Sequence, residues 1–269
     1  MEGLNNMDRI TRAIKQANKT REVVQEDKRI VSGLGSAFDN RIEVPKPLLE
    51  SNKIIAGMLT NPVSESYRLL RTKILRVMSQ NKWRVIGVTG PSSSSGKTLT
   101  ATNLAVAIAM TPNHSALLID ADMRKVALSR MFGIDPDYGL GEFLSWKASL
   151  EEVVVCPGID DLGVIVNTHP LQGSSDLLMG DALRILIDQV RQNDDNLVAI
   201  FDLPPVFVGD DAVALSANLD AVLVVVDSGH TTREQLESCM DLLKDVNIAG
   251  YVLNNAPDSD RKAQQEWGY

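Results

Sequence analysis

The chemistry in this chain concentrates in nine residues, Gly90-Pro91-Ser92-Ser93-Ser94-Ser95-Gly96-Lys97-Thr98. Glycines at both ends let the backbone turn its N–H groups inward around a phosphate. A helix starting at Lys97 would add the partial positive charge of its N-terminus. Lys97 would neutralise charge on β and γ phosphates, and Thr98 would place its hydroxyl on a magnesium ion. The spacing G-x-x-x-x-x-G-K-T has one more residue between its glycines than the usual phosphate loop, so Pro91 stands where that motif has its first glycine. Backbone N–H groups do the cradling, and the serine side chains are compatible with it.

Phosphate chemistry with a metal also needs carboxylates at the end of an apolar strand, where they can hold the ion or its waters. Two runs supply them. Leu197 to Phe201 leads into Asp202-Leu203-Pro204-Pro205, and Ala116 to Ile119 leads into Asp120-Ala121-Asp122-Met123-Arg124. Two carboxylates two residues apart can share one metal, or one can bind it while the other accepts a proton. Asp202 would lie at the carboxyl edge of a sheet, where open α/β folds bind ligands.

The elements that must position these groups alternate. Strands are expected at Arg84–Thr89, Ser115–Asp120, Leu197–Asp202, Asp220–Asp227 and Ile248–Asn254. Helices are expected at Lys97–Met110, Gly180–Arg191 and about Thr232–Asp245. The strands are nearly pure aliphatic runs, as when both sheet faces are covered. This predicts an α/β fold of the P-loop NTPase type, a mostly parallel sheet with helices on both faces. Two amphipathic segments precede the first strand. One, over residues 8–19, carries Ile10, Ala13, Ile14 and Ala17 at helical spacing, and the other runs from about Ser64 to Met78. From about Glu26 to Asn52 the glycines and prolines read as a surface linker. The expected organisation is an N-terminal helical extension and linker over 1–50, an ATP-binding domain over 51–256, and a short mobile tail over 257–269.

Composition bounds the function. Of 269 residues, 44% are hydrophobic and 23% charged, which excludes disorder for the bulk of the chain. No apolar run reaches the roughly 18 residues of a membrane span, and the polar start does not read as a signal peptide. Cys156 and Cys239 give no disulfide framework or Cys-x-x-Cys pattern and read as core thiols. His114, His169 and His230 are too far apart for metal-ligand spacing. The net charge of −8 argues against nucleic acid as a partner. Its distribution is uneven: residues 1–90 carry 16 Lys/Arg against 9 Asp/Glu, and the remainder 11 against 26. A basic front end joined to an acidic body permits head-to-tail self-association or contact with an anionic membrane.

Taken together, the phosphate loop, the Asp-x-Asp-x-Arg after one strand and the Asp-x-Pro-Pro after another closely resemble the bacterial tyrosine kinases of capsule and exopolysaccharide systems. The resemblance covers about residues 55–256. It implies that the three segments bind ATP and magnesium and transfer the γ-phosphoryl group to tyrosine. Carried over, the nucleotide set is Gly90, Ser94, Ser95, Gly96, Lys97, Thr98, Thr100, Arg124 and Asn254, the last at the strand end where the family's asparagine touches adenine. Thr98, Asp120 and Asp202 would serve the metal, Asp202 through its water ligands. Asp120 and Asp122 would divide metal binding from activation of the tyrosine hydroxyl, in either order. Glu65, Arg68 and Arg71 match the family's E-x-x-R-x-x-R, whose charges face a neighbouring subunit in a ring-shaped homo-oligomer. Spacings of three put them on one helical face.

The resemblance is nearest to family members that carry a short N-terminal helix and no membrane span, and that dock on an inner-membrane chain-length or copolymerase protein. It implies a cytoplasmic chain recruited to the membrane through that partner. Two features depart from the family. The tail from Asp258 onward holds one tyrosine, Tyr269, as candidate acceptor, while Tyr67, Tyr138 and Tyr251 fall in expected ordered structure where a buried aromatic role is favoured. Asn167 to Ser175 also lacks the Pro-Asn-Pro signal expected before the helix lining the site. The sister MinD/ParA ATPases place a lysine just after the first glycine of the loop, and here that position is Pro91. The rival reading is an ATP-bound scaffold that gates polysaccharide assembly with little tyrosine phosphorylation. The paired Asp120 and Asp122 oppose it.

Overall fold

The structure is a computed structural model describing residues 36–257, apart from 59, 60, 172, 174 and 193–195. The amphipathic segment expected over residues 8–19 and Tyr269 lie outside the described residues. Seven strands pair into one sheet: β1 (Val85–Thr89), β2 (Ser115–Asp120), β3 (Val154–Val155), β4 (Leu162–Ile165), β5 (Leu197–Asp202), β6 (Ala221–Asp227) and β7 (Ile248–Asn254). Their order is β3-β4-β2-β5-β1-β6-β7, parallel throughout except for the β3–β4 pair. The four longest helices among the described residues are α1 (Pro62–Asn81), α2 (Lys97–Ala109), α3 (Asp181–Gln192) and α4 (Arg233–Leu242).

Because side chains alternate along a strand, each central strand feeds two cores. Ile86 and Val88, Ala116 and Leu118, and Val198 and Ile200 pack with α2 and with Ile74 and Met78 of α1. Val85, Leu117, Ile119, Ala199 and Phe201 pack on the opposite side with Leu183, Leu186 and Val190 of α3. The helix carrying Lys97 is buried along nearly its whole length, so the phosphate loop is anchored to the sheet on one side and α1 on the other. Helix ends follow the sequence. Asn61 accepts the Val63 N–H at 2.9 Å to start α1, with Pro62 in its first turn. Thr232 and Gln235 exchange side-chain and backbone hydrogen bonds at 3.2 and 3.0 Å to start α4.

Part of the expected linker is structured. Asn40 and Ile42 hydrogen-bond the backbone of Cys156 at 2.8 and 2.9 Å, a short helix spans Lys46–Ser51, and Leu49, Ile54 and Ala56 are buried. The reason is Asn103 of α2, a fully buried side chain. Its Oδ1 accepts the N–H groups of Ile55 and Ala56 at 2.8 and 2.9 Å, and its Nδ2 donates to the carbonyls of Lys53 and Leu99 at 2.9 and 3.0 Å. Sequence periodicity does not register such a polar clamp. The pair β3 and β4 also went unexpected, since two and four residues are too short for a period-2 signal.

Replacing Asn103 with alanine leaves two backbone donors and one acceptor of the 53–56 segment without partners. The expected loss is about 2–3 kcal/mol of folding free energy, read as a lower urea midpoint at unchanged slope. An Asn103→Ala chain as stable as the parent would show that water replaces the clamp at no cost.

A candidate phosphoryl-transfer site at the carboxyl edge of the sheet

The strand order sets β2, β5 and β1 side by side, so their carboxyl ends share one edge. Register then decides which residues meet. Asp120 of β2 pairs with Asp202 of β5, and Val88 of β1 pairs with the same Asp202. The segment after β5 is stitched to the start of the phosphate loop: Leu203 N donates to Val88 O at 3.0 Å, Val206 N to Gly90 O at 3.1 Å, and the Thr89 hydroxyl to Pro204 O at 2.7 Å. Ala121 N donates to the Asp202 carbonyl at 3.0 Å and joins the third strand end.

Both glycines of the loop are required by space. A Cβ on Gly90 would run into the backbone carbonyl of Val225, and one on Gly96 into the side-chain amide of Asn254. Gly96 also has φ 84°, a left-handed conformation that glycine adopts freely. Asn254, at the end of β7, donates from Nδ2 to the Ser95 carbonyl at 2.9 Å and fixes the loop from outside. Lys97 is 4% exposed, and its ammonium donates to the carbonyls of Ser92 at 2.6 Å and Ser93 at 3.4 Å. Burial lowers its pKa from the ordinary lysine value; Asp202 opposes that shift, Lys125 adds to it and Asp122 opposes it.

Three carboxylates share this edge, of which Asp202 and Asp122 act on that ammonium. Asp120 is fully buried. Its Oδ2 accepts the Leu128 N–H at 3.2 Å, and its Oδ1 has no protein partner. Asp202 is buried with neither oxygen hydrogen-bonded. The Thr98 hydroxyl is near enough to favour its ionised form, although no hydrogen bond of normal geometry joins them. Burial raises both acids, Asp120 well above its ordinary range with the Asp202 charge adding to it, and Asp202 to about 7 against the pull of Thr98 and Lys97. Asp122 reaches the surface more than the others and pairs with Lys125 at 3.4 Å.

Three buried carboxylate oxygens without a donor, next to Thr98 and Lys97, form an acceptor set that suits a hydrated divalent cation. Among the described residues no three His, Cys, Asp or Glu side chains form a metal cluster of their own.

Most of the residues singled out from the sequence therefore meet at one edge: Gly90, Ser95, Gly96, Lys97, Thr98, Asp120, Asp122, Asp202 and Asn254. Thr100 is buried in the first turn of α2, where its N–H donates to Gly96 O at 2.9 Å. Ser94 lies at the exposed tip of the loop. Arg124 turns instead to the buried carboxylate of Asp211, at 3.1 Å, lying against Gly209. On α1, Arg68 donates to the Ser64 hydroxyl at 2.9 Å, Glu65 is exposed, and among the described residues Glu65 makes no ion pair with Arg68 or Arg71. The buried role expected for the ordered tyrosines holds in part: Tyr67 is half-buried, but Tyr138 and Tyr251 are 41% and 57% exposed. Tyr251 is on the edge strand β7 and donates its hydroxyl to Met240 Sδ of α4 at 3.5 Å.

Sequence reasoning missed two supports. Asn167, buried just past β4, donates to the carbonyls of Asp120 at 3.0 Å and of Asp122 and Lys125 at 3.4 Å, and so holds the Asp-x-Asp turn. Asp211, besides pairing with Arg124, accepts the Ser175 hydroxyl. The available signals were an asparagine ending an apolar run and an Asp-Asp pair after Gly209.

The raised pKa of Asp202 has a pH consequence with a definite sign. In an unfolded chain it ionises near about 3.9, and in the folded chain at about 7. Between those values the folded chain holds more protons, so its stability is full below about pH 4 and is lost as pH rises through 7. The loss attributable to this group is at most about 4 kcal/mol. Urea denaturation from pH 5 to 8 is expected to show an Asp202→Asn variant with a flatter profile and higher stability than the parent at pH 8. Parallel profiles would give Asp202 an ordinary pKa.

Comparison with known proteins agrees with this geometry. Residues 86–268 match the CobQ/CobB/MinD/ParA nucleotide binding domain. The tyrosine-protein kinase ptk of Acinetobacter johnsonii is 31% identical over 193 residues, 71% of this chain and 26% of that protein. The tyrosine-protein kinase YwqD of Bacillus subtilis is 29% identical over 208 residues, 77% of this chain and 85% of that protein. Among solved structures, the kinase domain of the Escherichia coli tyrosine kinase ETK superposes with a TM-score of 0.66 at 30% identity, covering 73% of this chain and 78% of that one. The chain thus spans about a quarter of the length of ptk and most of YwqD. With its phosphate loop and paired aspartates at one sheet edge, the chain belongs to the CobQ/CobB/MinD/ParA nucleotide-binding domain family and, within it, resembles the bacterial tyrosine-protein kinases.

Proposed function

We propose that the chain binds Mg-ATP and transfers the γ-phosphoryl group to protein tyrosine, its own included, in the control of exopolysaccharide or capsule production. The observation that carries this reading is the meeting of Lys97 and Thr98 with Asp120, Asp122 and Asp202 at one edge, with buried carboxylate oxygens left without donors. A loop that only bound nucleotide would need no second carboxylate two residues after the first.

In the proposed reaction a tyrosine hydroxyl gives its proton to one carboxylate of the Asp120/Asp122 pair. Its oxygen bonds to the γ-phosphorus as the bond to the β–γ bridging oxygen breaks, and ADP leaves. Lys97 stabilises the charge on the transferring group, and the loop N–H groups orient the phosphates. Magnesium, held by Thr98 with Asp120 and through waters by Asp202, would supply charge neutralisation. Gly90, Ser94, Ser95, Gly96, Thr100, Arg124 and Asn254 complete the nucleotide set in this reading.

The resemblance supports the setting. Glu65, Arg68 and Arg71 would face a neighbouring subunit in a homo-oligomer, and Tyr269 would be the acceptor offered to it. An inner-membrane copolymerase would recruit the chain from the cytoplasm by its cytoplasmic tail. No helix among the described residues is long and apolar enough to cross a membrane.

The test is peptide mass spectrometry after incubation with Mg-ATP, with and without the cytoplasmic segment of a neighbouring export protein, and with Lys97→Met as control. Phosphotyrosine that disappears in the control is expected, with Tyr269 the first site to inspect. Nucleotide hydrolysis without phosphotyrosine in either condition would instead establish the ATP-dependent scaffold.

A further inference from the structure

We infer that Lys53 is a second cation for the phosphates of the bound nucleotide, supplied from outside the phosphate loop by the segment that precedes α1. The inference rests on the nucleotide reading above and concerns a residue outside the matched span 86–268.

The loop itself is poor in charge. Between Gly90 and Thr98 it has one cation, Lys97, and the remaining positions are proline, serine and glycine. The other cations nearby are engaged, Arg124 by Asp211 at 3.1 Å and Lys125 by Asp122 at 3.4 Å. Lys53 joins Ser93, Ser94, Lys97 and Thr98 in lining a cleft of about 420 Å³ at the tip of the loop. It is exposed, and it takes part in none of the ion pairs among the described residues.

Its root is fixed to the same helix that carries Lys97. The Lys53 carbonyl accepts from Asn103 Nδ2 at 2.9 Å, and its N–H donates to the Glu50 carbonyl at 3.0 Å. Asn52 donates from Nδ2 to the Met131 carbonyl at 2.8 Å on one side, and Ile55 and Ala56 donate to Asn103 Oδ1 on the other. Lys53 has φ 59°, a left-handed conformation uncommon for a residue with a Cβ. A glycine or asparagine would take that conformation more readily, so the backbone here gives no reason for a lysine. A charged side chain on a rigid root at the mouth of a phosphate-binding cleft has such a reason. Its ammonium can meet phosphate oxygens with the backbone already in place, so that only the side-chain rotamers remain to be ordered.

The test uses the full chain with Lys53→Asn, which suits the left-handed backbone, and Lys53→Arg, which restores charge. Affinities for ATP, ADP and AMP are measured by calorimetry with magnesium present, at two salt concentrations. Lys53→Asn is expected to weaken ATP and ADP roughly tenfold and AMP much less, with the gap narrowing at high salt. Lys53→Arg recovers most of the affinity, and the thermal midpoint of Lys53→Asn without nucleotide does not fall below that of the parent. If Lys53→Asn binds ATP and ADP as tightly as the parent, or weakens all three nucleotides equally, the assignment fails while the nucleotide reading stands. A parent chain that binds none of the three removes the nucleotide reading itself.

Discussion

Asp120 and Asp202 occupy one rung of the ladder between β2 and β5, both buried, with three of their four carboxylate oxygens unpartnered. Two ionised carboxylates in that position repel each other in a medium that screens poorly, and each has lost its hydration. The arrangement persists only with a proton or a cation to offset it. Lys97 is the protein's own cation there, and its ammonium is occupied by loop carbonyls. A site that holds negative charge together against its own preference is matched to a ligand that brings positive charge, which is why the edge reads as a metal-nucleotide site and not as a structural ion pair. The fold sustains it because the strands bearing the aspartates are clad in aliphatic side chains on both faces.

Holding these groups in place falls largely to three asparagines from three elements. Asn103 of α2 ties the segment before α1 to the phosphate helix, Asn167 after β4 gathers the carbonyls of the Asp-x-Asp turn, and Asn254 of β7 braces the loop at Ser95. Each binds backbone rather than another side chain, so each fixes where a loop runs without competing for the charged groups in it. Asn103 uses both functions of its amide, whereas Asn167 and Asn254 act as uncharged donors, Asn167 Oδ1 having no protein partner.

The sheet was legible because its strands are short aliphatic runs bounded by polar residues. β2, β5 and β7 begin and end where the aliphatic runs do, and β1 and β6 start one residue later than expected. The principal site residues were legible because a glycine-bracketed loop and strand-terminal aspartates are local patterns. What was hidden depends on pairing. That Asp120 meets Asp202 follows from β5 lying between β2 and β1, an order no local pattern contains. Asn167 and Asn103 looked like ordinary polar residues, since their partners are backbone atoms tens of residues away. The tyrosines illustrate the reverse error: ordered structure was equated with burial, yet β7 is an edge strand and Tyr251 stays 57% exposed on it. Helix α1 runs two residues earlier and three later than its amphipathic pattern, because Asn61 and the left-handed Lys82 set its ends.

The division of charge along the sequence takes on meaning in this frame. The acidic body supplies the aspartates of the sheet edge, and under the proposed reading a metal bound there would compensate carboxylates and phosphates together. Phosphate charge left over must be met by cations, and the loop, with serines where others could carry charge, meets it with backbone N–H groups and Lys97 alone. Serine provides the N–H without obstructing the turn, but it adds no net charge. Residues 1–90 carry 16 Lys/Arg against 9 Asp/Glu, and the backbone of residues 53–56 within them is tied by Asn103 to the phosphate helix itself. The clamped segment itself is neutral, with Arg41, Lys46 and Lys53 against Asp39, Glu43 and Glu50, so what it would add beside the charge-poor loop is one placed cation, Lys53, and not net charge. On this account the segment before α1 belongs functionally to the nucleotide site, although nothing in the motif announces it.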